Sequence, residues 1–182
     1  MLSINQVESV APLILAKLDL ALTAARQYDS EPDLSDGEKN RMVANQTELE
    51  PGQYTLFSDG SCHGNPGMAG AGWVILKEGS LVSEGHRPLG RATNQIAEIR
   101  AAAEGLNALP SGCSVEVFTD SQYVVKTMVG AFKKKANLEH WKFLDNAVAR
   151  HTSVKFTHVR GHQGTEMNEL ADRLANKATL LN

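Results

Sequence analysis

The sequence predicts an α/β domain in which a mixed sheet is covered by helices. From residue 53 onward, three strand-like runs follow one another with only short turns between them, a spacing suited to antiparallel pairing. Helix-like and strand-like runs then alternate through the rest of the chain. Hairpin strands followed by such alternation indicate a mixed sheet flanked by helices. Ligands of such sheets collect at strand ends where the connections diverge.

The individual elements follow from apolar periodicity and from capping residues. In the first helical stretch, Ile99, Ala103 and Leu106 lie on one stripe, and Thr93 or Asn94 is the N-cap. Short runs rich in Val, Phe and Thr between turn residues predict strands. The predicted strands are 53–58, 69–76, 81–87, 114–119 and 153–159, and the predicted helices are 93–109, 121–130, 137–151 and 166–179.

The chain divides into an amphipathic helical extension (1–28), an acidic linker (29–51) and a larger domain (52–182). The extension carries apolar residues at three- and four-residue steps and is interrupted at Pro12. The linker is rich in Asp and Glu and contains Pro, Gly and Ser. Three interpretations of the apolar stripe stay open: packing on the chain's own domain, contact with a second protein, or disorder.

No feature of the chain predicts export or a membrane span. Its 182 residues contain no apolar run near the length of ~20 residues that a spanning helix needs. Its start lacks the basic region that precedes the apolar stretch of a signal peptide. Cys62 and Cys113 form no CxxC pair, which favours a reducing compartment. We therefore expect a cytoplasmic protein.

Charge is distributed unevenly along the chain. Residues 1–50 hold 4 Lys and Arg against 9 Asp and Glu, a net charge of −5, whereas residues 51–182 hold 14 against 12, a net of +2. Local patches rather than net charge determine the attraction of a surface to phosphate. The larger domain is therefore compatible with a nucleic-acid surface although the whole chain has a net charge of −3.

Four carboxylates in motif settings carry most of the functional information. Asp59 and Asp120 end strand-like runs, in FSDGSCHGNPG and VFTDSQYV, whereas Glu98 and Asp172 lie in helix-like runs, in TNQIAEIRAA and NELADRLA. Taken singly, each has an ordinary explanation as a turn residue, a helix cap or solvated surface. Together they can converge on hard divalent cations, which take oxygen ligands. A pair of such ions promotes phosphodiester hydrolysis.

The motifs resemble those of type 1 ribonuclease H, which cuts the RNA strand of RNA–DNA hybrids. DGSCHGNPG, TNQIAE, TDSQYV, GHQG and NELADRLA occur in the family's order within residues 53–179. The resemblance implies a ribonuclease H-like fold with a five-stranded mixed sheet, in which Asp59 and Asp120 lie on neighbouring central strands. It also implies that Asp59, Glu98, Asp120 and Asp172 are catalytic and bind two Mg²⁺ ions, with Mn²⁺ as the alternative.

The resemblance extends to proton transfer. His162 in VRGHQG matches the family's loop histidine, which assists proton transfer and product release. Imidazole titrates near neutrality, which suits this role. Asn168 lies four residues before Asp172 and so shares a helix face with it, which predicts that Asn168 assists near the metal site.

Further residues match the family's substrate contacts and fall into two groups. One group reads the minor groove of the hybrid, where the 2′-hydroxyl distinguishes RNA from DNA. The other binds a phosphate of the DNA strand. Turn chemistry explains Asn65 equally well, and helix capping explains Thr93. The first group is Asn65, Asn94 and Gln95, with the backbone amide of Gly60 toward the RNA strand, and the second is Arg91, Thr93 and Asn137.

The resemblance therefore implies an endonuclease that hydrolyses the RNA strand of hybrids and leaves 5′-phosphate and 3′-hydroxyl ends. One alternative is a non-catalytic nucleic-acid-binding module of the same fold, which would lack one or more of the acids, whereas all four are present. Another is a different metal-dependent nuclease or integrase of the superfamily. The GNPG and TNQ motifs and the VRGHQG histidine argue against it.

One region departs from the family pattern. Between Asp120 and His162 the chain is shorter than in members that carry a basic, tryptophan-rich handle helix. Phe132 and the triplet Lys133–Lys135 stand near that position. A lysine triplet is usually a solvated face, but here we expect it to retain some affinity for phosphate. Ile96 replaces the Arg that is common shortly before the catalytic Glu.

Overall fold

The predicted five-stranded mixed sheet is confirmed by a computed structural model, which describes residues 49–160 and 166–181. The strands are β1 (Gln53–Gly64), β2 (Gly67–Lys77), β3 (Ser80–Ala92), β4 (Ser114–Thr119) and β5 (Ser153–His158), and the described helices are α1 (Asn94–Asn107), α2 (Gln122–Met128), α3 (Leu138–Ala149) and α4 (Glu166–Thr179). The strands lie in the order β3-β2-β1-β4-β5. The pairs β1–β2 and β2–β3 are antiparallel, and the pairs β1–β4 and β4–β5 are parallel.

Some elements differ in length from the prediction. β1 continues to Gly64 instead of ending at residue 58, because its backbone pairs with β2 from Thr55 as far as Gly64. Asp59 and Gly60 therefore lie inside a strand, and the turn falls between Gly64 and Gly67. β3 likewise continues beyond its apolar run to Ala92, whereas α2 ends two residues earlier than expected.

Helices cover both faces of the sheet. α1 packs on β1 and β2, and α4 packs on β1, β2 and β3. Successive side chains of a strand point to opposite faces; Leu56 of β1 contacts Gly105 of α1, whereas Gly72 of β2, which pairs with Asp59, contacts α4. α1 and α4 therefore lie on opposite faces. Fully buried side chains that form the core include Leu56, Val74, Ile75, Ile99, Leu106, Val117, Val124, Trp141 and Leu144.

Two predictions concern parts of the chain outside the described residues. The helical extension at 1–28 and most of the linker at 29–51 lie there, and so does His162. The proposed domain boundaries therefore stay predictions. Within the described residues, no helix combines the length and the apolar character needed to cross a membrane.

Candidate active site

The strand register places two of the predicted acids side by side. β1 and β4 run parallel with Phe57 opposite Phe118, and two residues further along each chain come Asp59 and Asp120. The two phenyl rings stack with their centroids 5.1 Å apart and their planes at 18°, which packs the strands together next to the acids. The expectation that Asp59 and Asp120 lie on neighbouring central strands is thus confirmed, with Asp120 directly after the end of β4.

Glu98 reaches the same place because a glycine lets α1 lie directly on β1. A Cβ atom at Gly60 would come within 2.3 Å of the backbone nitrogen of Glu98 and of the carbonyl carbon of Ala97. Only a residue without a side chain allows this approach. Thr93 begins the helix, and its Oγ1 accepts a hydrogen bond from the Ile96 N–H at 3.3 Å. The second turn of α1 then carries Glu98 to β1.

The resulting carboxylate triad consists of Asp59, Glu98 and Asp120. One carboxylate oxygen from each lies within 4.8 Å of the others. Asp59 and Glu98 are buried, and Glu98 Oε2 has no hydrogen-bond partner among the described residues. No ion pair within that part of the chain involves any member of the triad. Buried acids this close without a basic partner form a donor set that fits a hard divalent cation.

Asp172 joins the triad from the opposite face of the sheet. Gly72 lies opposite Asp59 in the β1–β2 pair, and a Cβ atom there would come within 2.2 Å of the Ala171 carbonyl oxygen. This glycine therefore lets α4 approach the sheet next to Asp59. The charge of Asp172 helps to raise the pKa of Asp59, so the two carboxyl groups lie near each other. The structure thus brings all four predicted acids together.

Two acids of the triad, Asp59 and Glu98, have raised pKa values. Burial raises the pKa of Asp59 to about 8, and the charges of Asp120 and Asp172 add to the rise. Burial also raises the pKa of Glu98 well above its ordinary value, with the charges of Asp59 and Asp120 as the next causes. The Gly60 N–H donates to Asp59 Oδ1 at 2.9 Å and partly opposes these increases. Cation binding favours the charged carboxylates and would release the protons.

The residues predicted to read the minor groove are next to one another. Asn65 Oδ1 accepts a hydrogen bond from the Asn94 N–H at 3.2 Å, which connects the β1–β2 turn to the start of α1. Asn94 and Gln95 are exposed in the first turn of that helix. The Gly60 amide already donates to Asp59, so a contact with RNA would have to share or replace that bond. These substrate roles stay predictions.

The residues predicted to bind a phosphate come from three elements. Arg91 is exposed near the end of β3, and Thr93 caps α1 through its hydroxyl oxygen, which leaves the hydroxyl proton for donation. Asn137 begins α3 with a left-handed backbone (φ 56°), and its side chain does not cap that helix. Asn168, which is predicted to assist near the metal site, is buried on α4, and its Oδ1 has no hydrogen-bond partner among the described residues. The roles of these four residues also stay predictions.

One lysine of the triplet is paired with an acid of α3. Lys134 Nζ lies 2.5 and 2.6 Å from the two carboxylate oxygens of Asp145 and 5.5 Å from the centroid of the Trp141 ring. Its charge is therefore used to hold the loop against α3. Lys133 and Lys135 are exposed. The expected affinity for phosphate thus rests on these two side chains.

Two residues beside the acids, Ser61 and Asn176, were not predicted from the sequence. Ser61 Oγ donates to Asn176 Oδ1 at 2.5 Å, and Asn176 Nδ2 donates to Asp172 Oδ1 at 2.8 Å. Asn176 could have been found by its position, since it lies four residues after Asp172 on the same helix face. Ser61 carries no comparable signal, because its partner is 115 residues away in the chain.

The family model for RNase H matches residues 51–179. The chain belongs to the RNase H family. The expected enzyme class, ribonuclease H, is confirmed by relatives of that name. The Ribonuclease H of Marinobacter nauticus is 40% identical over 139 residues, covering 69% of this chain and 93% of the relative. That of Erythrobacter litoralis is 44% identical over 138 residues, covering 68% and 93%.

Solved structures agree with this family. RNase H1 from the halophilic archaeon Halobacterium salinarum aligns with a TM-score of 0.65 and 32% identity, over 71% of this chain and 99% of that one. LC11-RNase H1 in complex with an RNA/DNA hybrid aligns with a TM-score of 0.61 and 28% identity, over 69% and 98%. The ribonuclease H-like fold is therefore confirmed.

Proposed function

We propose that the chain is an endonuclease that hydrolyses the RNA strand of RNA–DNA hybrids with two bound Mg²⁺ ions, or Mn²⁺ in their place. The observation that carries this proposal is the carboxylate triad, whose oxygens lie within 4.8 Å of one another and have no basic partner in the described part of the chain. The similarity to LC11-RNase H1, which has been crystallised with an RNA/DNA hybrid, supports the substrate.

The four acids would bind the ions. Asp59 and Asp120 extend from the central strands, Glu98 comes from α1, and Asp172 comes from α4. When bound, two such ions lower the pKa of an attacking water and stabilise the departing 3′-oxygen, which gives a 5′-phosphate and a 3′-hydroxyl. Rigid strands and helices hold ligands more accurately than loops do. The protein thus supplies a preformed set of carboxyl groups, of which Asp59 and Glu98 are buried.

Other residues would position the substrate and move protons. Asn65, Asn94 and Gln95 would read the minor groove near the triad, and the 2′-hydroxyl would distinguish the RNA strand. Arg91, Thr93 and Asn137 would bind a phosphate of the DNA strand, and Asn168 would assist at the acids. His162 would transfer a proton and promote product release. The location of this activity in the cytoplasm stays a prediction from the sequence.

The decisive experiment incubates the full chain with labelled RNA–DNA hybrid, double-stranded RNA and double-stranded DNA, with Mg²⁺ or with EDTA. We expect cleavage of the RNA in the hybrid alone, only with Mg²⁺, and with 5′-phosphate ends that phosphatase removes. Asp120→Asn deletes an anionic ligand without changing the shape of the side chain and should abolish cleavage. Asp145→Asn is the matched control, because Asp145 pairs with Lys134 outside the triad.

Cleavage that persists in EDTA or in Asp120→Asn would contradict the proposal. The alternative of a non-catalytic nucleic-acid-binding module would show as hybrid binding without cleavage in the wild type. Cleavage of double-stranded DNA at the same rate would instead indicate another nuclease of the superfamily.

A further inference from the structure

The chain has a hydrogen-bonded connection between β1 and α4 that none of the roles above includes. Ser61 is on β1, two residues after Asp59, and its hydroxyl donates to Asn176 Oδ1 on α4. Asn176 Nδ2 in turn donates to Asp172 Oδ1 at 2.8 Å. The strand that carries one acid of the site therefore reaches the helix that carries another.

The hydrogen bonds from Ser61 to Asn176 and from Asn176 to Asp172 are called the relay below. Their direction follows from which groups of the three side chains can donate and which can accept. An ionised carboxylate only accepts hydrogen bonds, so Asn176 must present its NH₂ group to Asp172. The amide oxygen of Asn176 then faces Ser61, and the serine hydroxyl has to donate. All three side chains are at least partly buried, so water competes less for these bonds than it does at a fully exposed site. The bond to the carboxylate is charge-assisted and is the stronger of the two.

The relay has a consequence for the geometry of Asp172. A carboxylate side chain on a helix can rotate, and its two oxygens are equivalent unless one is held. Because Asn176 holds Oδ1, rotation about the last bond of Asp172 is restricted and Oδ2 is left for other partners. Asp172 lies near the triad, because Gly72 pairs with Asp59 and a Cβ atom at Gly72 would come within 2.2 Å of the carbonyl oxygen of Ala171, the neighbour of Asp172.

We propose that Asn176, itself held by Ser61, is a positioning residue that orients the Asp172 carboxylate toward the metal ions. This role rests on the proposed function, because it requires that Asp172 is a metal ligand. Hydrogen-bond partners behind metal ligands typically change metal affinity by about 10- to 100-fold when removed. The relay is serial, so Ser61 acts on Asp172 only through Asn176.

The test measures Mn²⁺ binding to the full chain by calorimetry without nucleic acid. The variants are Asn176→Ala, Ser61→Ala and their double mutant, with Lys177→Ala as the control because Lys177 is the exposed neighbour on the same helix. We expect Asn176→Ala to weaken binding roughly tenfold, at the low end of such effects. Ser61→Ala should weaken it less in the wild type and not at all in the Asn176→Ala background. Thermal unfolding in EDTA should show that each variant is folded.

A loss of less than threefold in Asn176→Ala would overturn the positioning role, and so would additive effects of the two substitutions. An equal loss in Lys177→Ala would also overturn it, since the change would then reflect the helix in general. Mn²⁺ binding to the wild type and to Asp172→Asn distinguishes this failure from a failure of the proposed function, because those two proteins test the metal site without any change to Asn176 or Ser61. If the wild type bound no Mn²⁺, the metal site itself would be wrong and this role with it.

Discussion

A Cβ atom at Gly60 would lie only 2.3 Å from the backbone nitrogen of Glu98. This relationship couples the packing of α1 on β1 to the position of a carboxylate in the triad. Neither the strand nor the helix can move away without moving an acid, since Asp59 precedes Gly60 and Glu98 is itself the point of contact. The same glycine is thus required for the fold and for the assembly of the site.

Gly60→Ala should therefore reduce metal affinity and hybrid cleavage by at least about tenfold, together with a loss of about 1–3 kcal/mol in the free energy of unfolding. The control is Gly105→Ala on the same helix, where a Cβ would meet the Leu56 side chain at 2.6 Å, away from the acids. It should lower stability but keep metal affinity. Calorimetry and urea unfolding separate the two effects. Equal metal affinity in both variants would show that Gly60 acts on stability alone.

The raised pKa of Asp59 predicts how stability depends on pH in EDTA. The folded chain keeps a proton up to about pH 8, whereas an unfolded chain releases it near the ordinary value of 3.8. This contribution to stability is complete below about pH 4 and is lost as the pH rises to about 8. Its slope is at most about 1.4 kcal/mol per pH unit, and Glu98, whose pKa is also raised, acts in the same direction.

Asp59→Asn should therefore become more stable relative to the wild type as the pH rises from about 4 to about 8, measured by urea unfolding in EDTA. A saturating divalent cation should reverse the difference at pH 8, because it binds and stabilises only the intact acids. Asp145→Asn, which removes an exposed acid, should show no such trend. Parallel stability curves for the wild type and Asp59→Asn would contradict the raised pKa of Asp59.

Asn137 permits a test that separates backbone conformation from phosphate binding. Its left-handed backbone (φ 56°) favours Gly, and its side chain does not cap α3. Asn137→Gly should leave the free energy of unfolding unchanged or raise it by less than about 1 kcal/mol. It should weaken hybrid binding about tenfold at low salt, as expected for one lost hydrogen bond to a charged group. Binding is measured in the Asp120→Asn background, which should not cleave.

Asn137→Asp provides the matched comparison. It keeps the shape of the side chain, suits the start of a helix and adds a negative charge. Hybrid affinity should therefore fall further than in Asn137→Gly, without a loss of stability. If the proteins with Asn, Gly and Asp at position 137 bound the hybrid equally, Asn137 would not belong to the phosphate pocket.

His162 should act on turnover and not on binding. His162→Ala should slow cleavage by roughly 10²-fold, the low end for a lost acid–base group, since the metal ions would still provide most of the stabilisation. The dissociation constant of the hybrid should barely change. Added imidazole should restore part of the rate if the side chain moves a proton. His63→Ala is the control, and wild-type turnover in His162→Ala would assign His162 to the loop surface.

Much of the fold and of the candidate site could be predicted because the signals are local. Alternating and helical apolar patterns predicted the five strands and four helices, and the cap of the first helix was placed at Thr93 or Asn94, of which Thr93 is the cap in the structure. The acids were found from short motifs, each of which lies within one element. Such signals depend on neighbours within a few residues, so they can be recognised before the chain is folded.

Contacts between distant segments could not be predicted in this way. Asp59 seemed to lie at a strand end, but pairing with β2 extends the strand past it. The lysine triplet was expected to keep some affinity for phosphate, and the pairing of Lys134 with Asp145 of α3 could not be recognised from the sequence. The relay from Ser61 to Asn176 joins residues 115 positions apart.

The sequence by itself determined which elements form and which four acids are expected at one site, because periodicity, capping and motifs are properties of the chain. Only the tertiary structure decided how those acids behave. Burial and the charges of neighbouring acids raise the pKa of Asp59 and of Glu98. The absence of side chains at Gly60 and Gly72 lets two helices bring their carboxylates to the sheet. These effects arise from distances of a few ångströms between segments that are far apart in sequence, and such distances exist only after folding.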